Sequence, residues 1–296
     1  MLNLVLACLV SLAVVWSFWP TLKLLAERWW IDPQYSHGFL VPVFAGLILW
    51  LKKPAEIPWQ PNAWGLALMA ASLVPRWFAA RMDLLYVDGA SLIGTLLGLA
   101  LLVGGKDVLR WAGPSILFLA FMIPLPDAVN DSIAIPLRRL ATVVSTYVLQ
   151  TFGYPAIAEG NVIQIEDVRL GVIEACSGLG MLMTFLALAT AMALIVPDPI
   201  GDRIVLVLSA IPIAILANVI RITVTGMLYS SFGLQDYRET IHTALGLVLM
   251  MPLALLLLWL ELKYLRHLLV PKKTVEPLKV PLAPWLESGR KKPLWS

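Results

Sequence analysis

The chain has 296 residues, of which 59% are hydrophobic and 14% charged, with a mean hydropathy of +0.83; soluble domains carry about 25% charged residues. That composition excludes a water-soluble globular fold and leaves room for about eight spans of ~20 residues, each able to cross ~30 Å of hydrocarbon. The formal charge of +3 rests on a basic tail rather than on a distributed basic face, so nucleic-acid binding has no support.

Apolar runs separated by charge, Pro and Gly predict an all-α polytopic membrane protein with spans over 2–20, 38–51, 63–80, 84–103, 109–125, 176–197, 204–230 and 242–262. The first run has no basic n-region and no small-residue cleavage site, so it reads as a retained span rather than a signal peptide. Cys8 inside it reads as a small packing residue, and with Cys176 as the other cysteine no disulfide framework is indicated. Arg76 intrudes in the third run. The chain shows no internal repeat, unlike transporters built from inverted halves.

Between the fifth and sixth spans, Asp127–Phe152 carries Asp127, Asp131, Arg138 and Arg139 among apolar residues. It predicts an interfacial or re-entrant amphipathic helix. Asn161–Ile165 and Val168–Glu174 alternate in period two around Glu166-Asp167, which predicts a short β-hairpin before Cys176. Such a hairpin must sit in water or against protein, because lipid would leave its backbone groups unpaired. A single transmembrane domain over 1–270 is expected, followed by a basic, Pro-rich tail over 271–296. Lys and Arg near the span ends favour cytoplasmic termini, by nine inner residues to eight outer ones.

Thiol and ionisable groups at membrane depth are costly, which marks Cys176, Arg221 and His242 as functional candidates. At 1.5 Å per helical residue, Cys176 is about 31 Å from Pro197, Arg221 about 27 Å from Arg203 and His242 about 28 Å from Glu261. All three therefore fall near one membrane face, and successive antiparallel helices can bring them together. A thiolate attacks a carbonyl, a cation stabilises thiolate and oxyanion, and an imidazole passes a proton to the leaving amine. Cys176 also stands at a predicted helix start, where the dipole favours an anion. Each residue has a plain alternative: packing for Cys176, snorkelling to head groups for Arg221, and helix capping or an interfacial position for His242.

At these residues the chain resembles the exosortase/archaeosortase family of membrane-embedded cysteine transpeptidases. Glu174-Ala175-Cys176-Ser177-Gly178-Leu179 is similar to the family's Cys signature, Asn218–Ile222 to its Arg motif, and His242 with Gly246 to its His motif. Upstream, Tyr35–Pro42 resembles an N-terminal motif and Phe121–Pro126 a central Pro-x-Pro motif. The likeness runs from about residue 30 to 265. It implies Cys176 as nucleophile, Arg221 as stabilising cation and His242 as acid/base. Asn218 belongs to the Arg motif, Glu174 is a candidate to orient His242 or Arg221, and His37 either lines the site or fixes the turn before Gly38.

Gly180 departs from the basic residue that many members carry there. The resemblance further implies cleavage of C-terminal sorting tails of secreted proteins. Such a tail has a short motif such as Pro-Glu-Pro, one transmembrane helix and a basic cluster. The expected setting is the cytoplasmic (inner) membrane with the active site at the outer, periplasmic face, and exopolysaccharide-associated proteins are among the expected partners. No cofactor is expected, and no metal, since no His, Cys or carboxylate pair has ligand spacing on one face. Two rivals stand beside this reading. One is a hydrolytic intramembrane protease, for which Ser177 is an alternative nucleophile. The other is a transporter or a non-catalytic subunit of polysaccharide export.

Overall fold

The computed structural model describes residues 2–54, 56, 59–171, 178–197, 199–232, 252, 256–257, 259–260 and 263. The expected last span and the tail over 271–296 therefore lie essentially outside the described residues. Helices dominate: α1 (Leu2–Ser17), α2 (Trp19–Ile31), α3 (Leu40–Leu51), α4 (Trp64–Met82), α5 (Leu85–Phe118), α6 (Asp127–Thr151), α7 (Gly178–Ile195) and α8 (Ile200–Phe232). Two 3-10 turns, Pro33–Phe39 and Leu119–Met122, extend α3 and α5. Among the described residues, five helical segments are long and apolar enough to cross a membrane: Pro33–Leu51, Leu85–Met122, Asp127–Thr151, Gly178–Ile195 and Ile200–Ser231.

The first expected span, 2–20, is corrected. The helical path breaks at Phe18 (φ −93°, ψ 9°) and then continues to Ile31. Pro20 stands in the first turn of α2, where a missing N–H costs nothing, so it starts a helix instead of ending one.

Leu85–Met122 folds back on itself between the expected spans 84–103 and 109–125. Gly105 adopts φ 76°, ψ −162° and turns the chain back on itself. A Cβ on Gly89 would lie 3.0 Å from Ile123 Cγ1, whereas a straight helix would separate these residues by about 51 Å. The first pass packs on α4 through small residues. A Cβ on Gly65 would run into the backbone of Leu102 and Gly98, and one on Gly98 would lie 2.8 Å from Met69 N. Without a hydrophobic drive between helices in lipid, such close backbone contact is what holds them.

Arg76 on α4 is accommodated by its neighbours. Its guanidinium lies 3.6 Å from the centre of the Phe18 ring, donates to the Ser17 carbonyl and stands 4.0 Å from Asp88 Oδ1. Asp88 also accepts from Thr21 Oγ1 at 2.6 Å. One charge pair thus ties the α1–α2 junction to α4 and α5.

The expected two-stranded hairpin is a three-stranded antiparallel sheet, β1 (Ala156–Glu159), β2 (Val162–Ile165) and β3 (Val168–Gly171), in order β1-β2-β3. Pairs Ile163–Leu170 and Ile165–Val168 set the β2–β3 register, and Glu166 takes a positive φ in the connecting turn. β1 was not expected, because Ala156-Ile157-Ala158-Glu159 shows one buried residue and three exposed ones and no alternation. Ile163, Ile165 and Leu170 face inward and form a core with Ala141, Leu149, Ile222 and Tyr229.

Packing register places these parts along the bundle. Gly178 stands beside both Leu137 and Asn218, Ser145 Oγ donates to Val219 O at 3.4 Å, and Gly226 meets Leu149 and Ile165. So α6 and α8 run parallel, and each continues fourteen residues past its position beside Gly178, about 21 Å. The expected interfacial helix is long enough to span, yet much of it lies beyond Gly178, where it carries the sheet.

Gly65→Leu is expected to disrupt the α4–α5 contact, since both colliding partners are backbone, at a cost of about 1–3 kcal/mol or more. Size-exclusion profile and thermal unfolding of the purified protein in detergent check this; an unchanged melting temperature would contradict the packing described.

Candidate functional site

The second 3-10 turn ends in a segment holding Pro124 and Pro126, which have no N–H to continue a ladder. The last carbonyls of α5's extension need other donors. Trp29 Nε1 donates to Met122 O at 2.8 Å, and His37 Nε2 donates to Phe121 O at 3.2 Å. A carbonyl only accepts, so Nε2 carries a proton. Nδ1 is buried and has no hydrogen-bond partner in the structure. Gly38 follows because a Cβ there would lie 2.5 Å from the Trp29 indole. The stretches Tyr35–Pro42 and Phe121–Pro126 thus lock together, and His37 serves as the cap of a helix end.

The same turn reaches α6 and α7. Gln34 Nε2 and Tyr35 OH both donate to Asn130 Oδ1, at 2.6 and 3.2 Å. A Cβ on Gly180 would lie 3.0 Å from Gln34 Cα. Glycine at this position lets the turn lie directly on the first turn of α7.

From α8, Asn218 and Arg221 face that turn of α7. They are three residues apart and so share a helix face, and both are buried, with 3% and 8% exposure. Asn218 Nδ2 would be 3.1 Å from a Cβ on Gly178. Arg221 Nη1 reaches Met181 Sδ at 3.7 Å, one of the contacts its guanidinium makes. Asn218 Oδ1 is buried without a hydrogen-bond partner in the structure. Leu137, Ala141, Gly178, Leu182, Ala214, Ile215 and Asn218 enclose a cavity of about 10 Å³ here.

Of the sequence-predicted site residues, Arg221, Asn218 and His37 are described, and Arg221 and Asn218 meet at the start of α7. Cys176, Glu174, Ser177 and His242 lie outside the described residues. Gln34, Asn130, Met181 and Arg138 were not singled out as site residues. Their signals were weak, since Gln34 precedes the quoted Tyr35 motif by one residue and Asn130 follows the Pro-x-Pro motif by four. Among the described residues no cluster of His, Cys, Asp or Glu has the makings of a metal site.

A helical membrane protein emerges in which Asn218 and Arg221 of α8 are buried against the first turn of α7. Within that class, the chain belongs to the transmembrane exosortase family, whose model matches residues 29–260. Comparisons with curated proteins and with solved structures return no match.

His37→Ala removes the donor to Phe121 O, and a buried carbonyl without a partner costs about 1–3 kcal/mol. A lowered unfolding midpoint in detergent is the expected result. His37→Gln, which can still donate, should recover part of it. Equal midpoints for wild type and His37→Ala would show that the cap contributes nothing.

Proposed function

We propose that the chain is a cysteine transpeptidase that processes C-terminal sorting tails of secreted proteins at the outer face of the cytoplasmic membrane. The observation that supports this reading most is the burial of Arg221 and Asn218 against the first turn of α7. In the sequence, Cys176 precedes Gly178 by two residues, a covalent reach of at most about 7 Å. Family membership adds the reaction class.

In this mechanism the Cys176 thiolate attacks the carbonyl of the scissile peptide bond, in a short motif such as Pro-Glu-Pro. Arg221 stabilises the thiolate and then the oxyanion with its planar fork of donors. The C–N bond breaks as protonated His242 gives its proton to the departing amine, leaving an acyl thioester on Cys176. An acceptor nucleophile then attacks the thioester, loses its proton to His242 and releases the thiolate; water in that role gives hydrolysis. Glu174 orients His242 or Arg221. The tail's own transmembrane helix enters laterally and holds the motif at the depth of the site.

Cys176→Ala is expected to abolish cleavage of a tail substrate by the purified, solubilised protein, and Ser177→Ala to retain it. Arg221→Lys keeps the charge but loses the fork, and a severe loss is expected, on the order of 10²–10³ in rate. His242→Ala should remove one limb of the pH–rate profile. Acid quench should trap a thioester on Cys176, and product mass separates transfer from hydrolysis. Wild-type turnover by Cys176→Ala would end this reading.

A further inference from the structure

A second arginine lies close to the first turn of α7, and among the described residues it has no counter-charge. Arg138 is four residues from Ala134 and from Thr142, seven from Ser145 and eleven from Leu149. Those four are buried, with exposures of 1%, 0%, 0% and 0%. Positions at this spacing form one stripe along a helix, so Arg138 lies on the face of α6 that packs on α8. It directly follows Leu137, which stands beside Gly178, and the Ser145–Val219 and Leu149–Gly226 pairs place it within two turns of Asn218 on the parallel α8.

Its backbone carbonyl accepts from Thr142, but its side-chain Nε is buried with no hydrogen-bond partner. Among the described residues no ion pair includes Arg138. Asp131, two turns earlier on α6, accepts instead from Asn130 Nδ2 at 3.2 Å. An arginine does not shed its proton in a protein, and a partly buried cation without an anion is costly. Such a charge is kept where an anion arrives.

We infer that Arg138 is a substrate-binding cation that takes a carboxylate, an Asp or Glu side chain, in the extended segment of the tail seated at the start of α7. This rests on the proposed reading of the chain as a tail-processing enzyme. The anion comes from polypeptide rather than from a lipid phosphate, because the stripe that carries Arg138 faces α8. Planar, bidentate recognition of a carboxylate is what a guanidinium offers over an ammonium. Arg138 makes no bond in the reaction; it fixes which tail is held and in what register.

The test uses the full chain in nanodiscs and synthetic tails in which each acidic residue of the extended segment is exchanged in turn, Glu→Gln or Asp→Asn. Wild type should lose about 10–100-fold in kcat/KM at one such position, mostly in KM. Arg138→Gln should be as poor with the acidic tail as wild type is with the neutral one, and should not distinguish the two tails. Arg138→Glu should regain activity on a tail carrying Lys at that position. If Arg138→Gln fails to fold, Arg138→Lys, which keeps the charge without the fork, should show intermediate discrimination. Unchanged discrimination in Arg138→Gln, or an equal loss on both tails, would overturn the inference. So would a loss that tracks only the anionic-lipid content of the nanodisc, which would make the ligand a phosphate. A wild type that processes no tail would instead refute the proposed function.

Discussion

Everything at the working end of this molecule depends on how closely other elements approach the first turn of α7. Gly178 and Gly180 present no side chains, so Leu137 of α6, Asn218 of α8 and Gln34 of the first 3-10 turn all reach that turn. Helices in a bilayer gain little from hydrophobic burial against one another, since lipid tails are as apolar as leucine. Association rests on shape, and shape here is set by missing atoms. The same device recurs where Gly65 and Gly98 seat α4 on α5. A glycine at a helix start would ordinarily be a weak choice, and here its cost is offset by the three contacts it admits.

Buried hydroxyls mostly return to carbonyls of their own helix, whereas several larger polar groups inside the bundle are tied to another element. Arg76 reaches Ser17, Phe18 and Asp88, and Thr21 reaches Asp88 across sixty-seven residues. Trp29 and His37 serve the carbonyls of Met122 and Phe121. Where no water competes, leaving such a group unpaired is expensive, so these links fix the order in which helices stand. Among the described residues, Nδ1 of His37, Oδ1 of Asn218 and Nε of Arg138 are buried without a hydrogen-bond partner, as are Nη1 of Arg76 and the hydroxyls of Ser115 and Thr223.

Hydropathy made most of the fold legible, because apolar runs bounded by charge correspond to helices such as α4, α7 and α8. The amphipathic pattern of Asp127–Thr151 gave α6 nearly to the residue. Punctuation was harder to read. The expected run over 2–20 breaks at Phe18 with Pro20 opening the next helix, and β1 has no alternation because three of its four residues are exposed. Ionisable type at membrane depth singled out Arg221, which the structure buries against α7. It could not reveal that His37 caps Phe121, since a capping bond joins residues eighty-four apart. Arg138 was visible as a charge on an amphipathic helix, but its place on the buried stripe appears only once α6 is set against α8.

The overhang of α6 and α8 has a consequence for the proteins this chain would act upon. Protein continues about 21 Å past Gly178 on that side, with the sheet packed along it. On the proposed function, a folded secreted domain cannot rest directly on the point of cleavage. It must stand clear of the overhang on a tether, and at roughly 3.4 Å per extended residue that tether needs six or more residues. The height of two helices thereby becomes a ruler that sorts clients by the length of unstructured chain before their membrane anchor, apart from any side chain they carry.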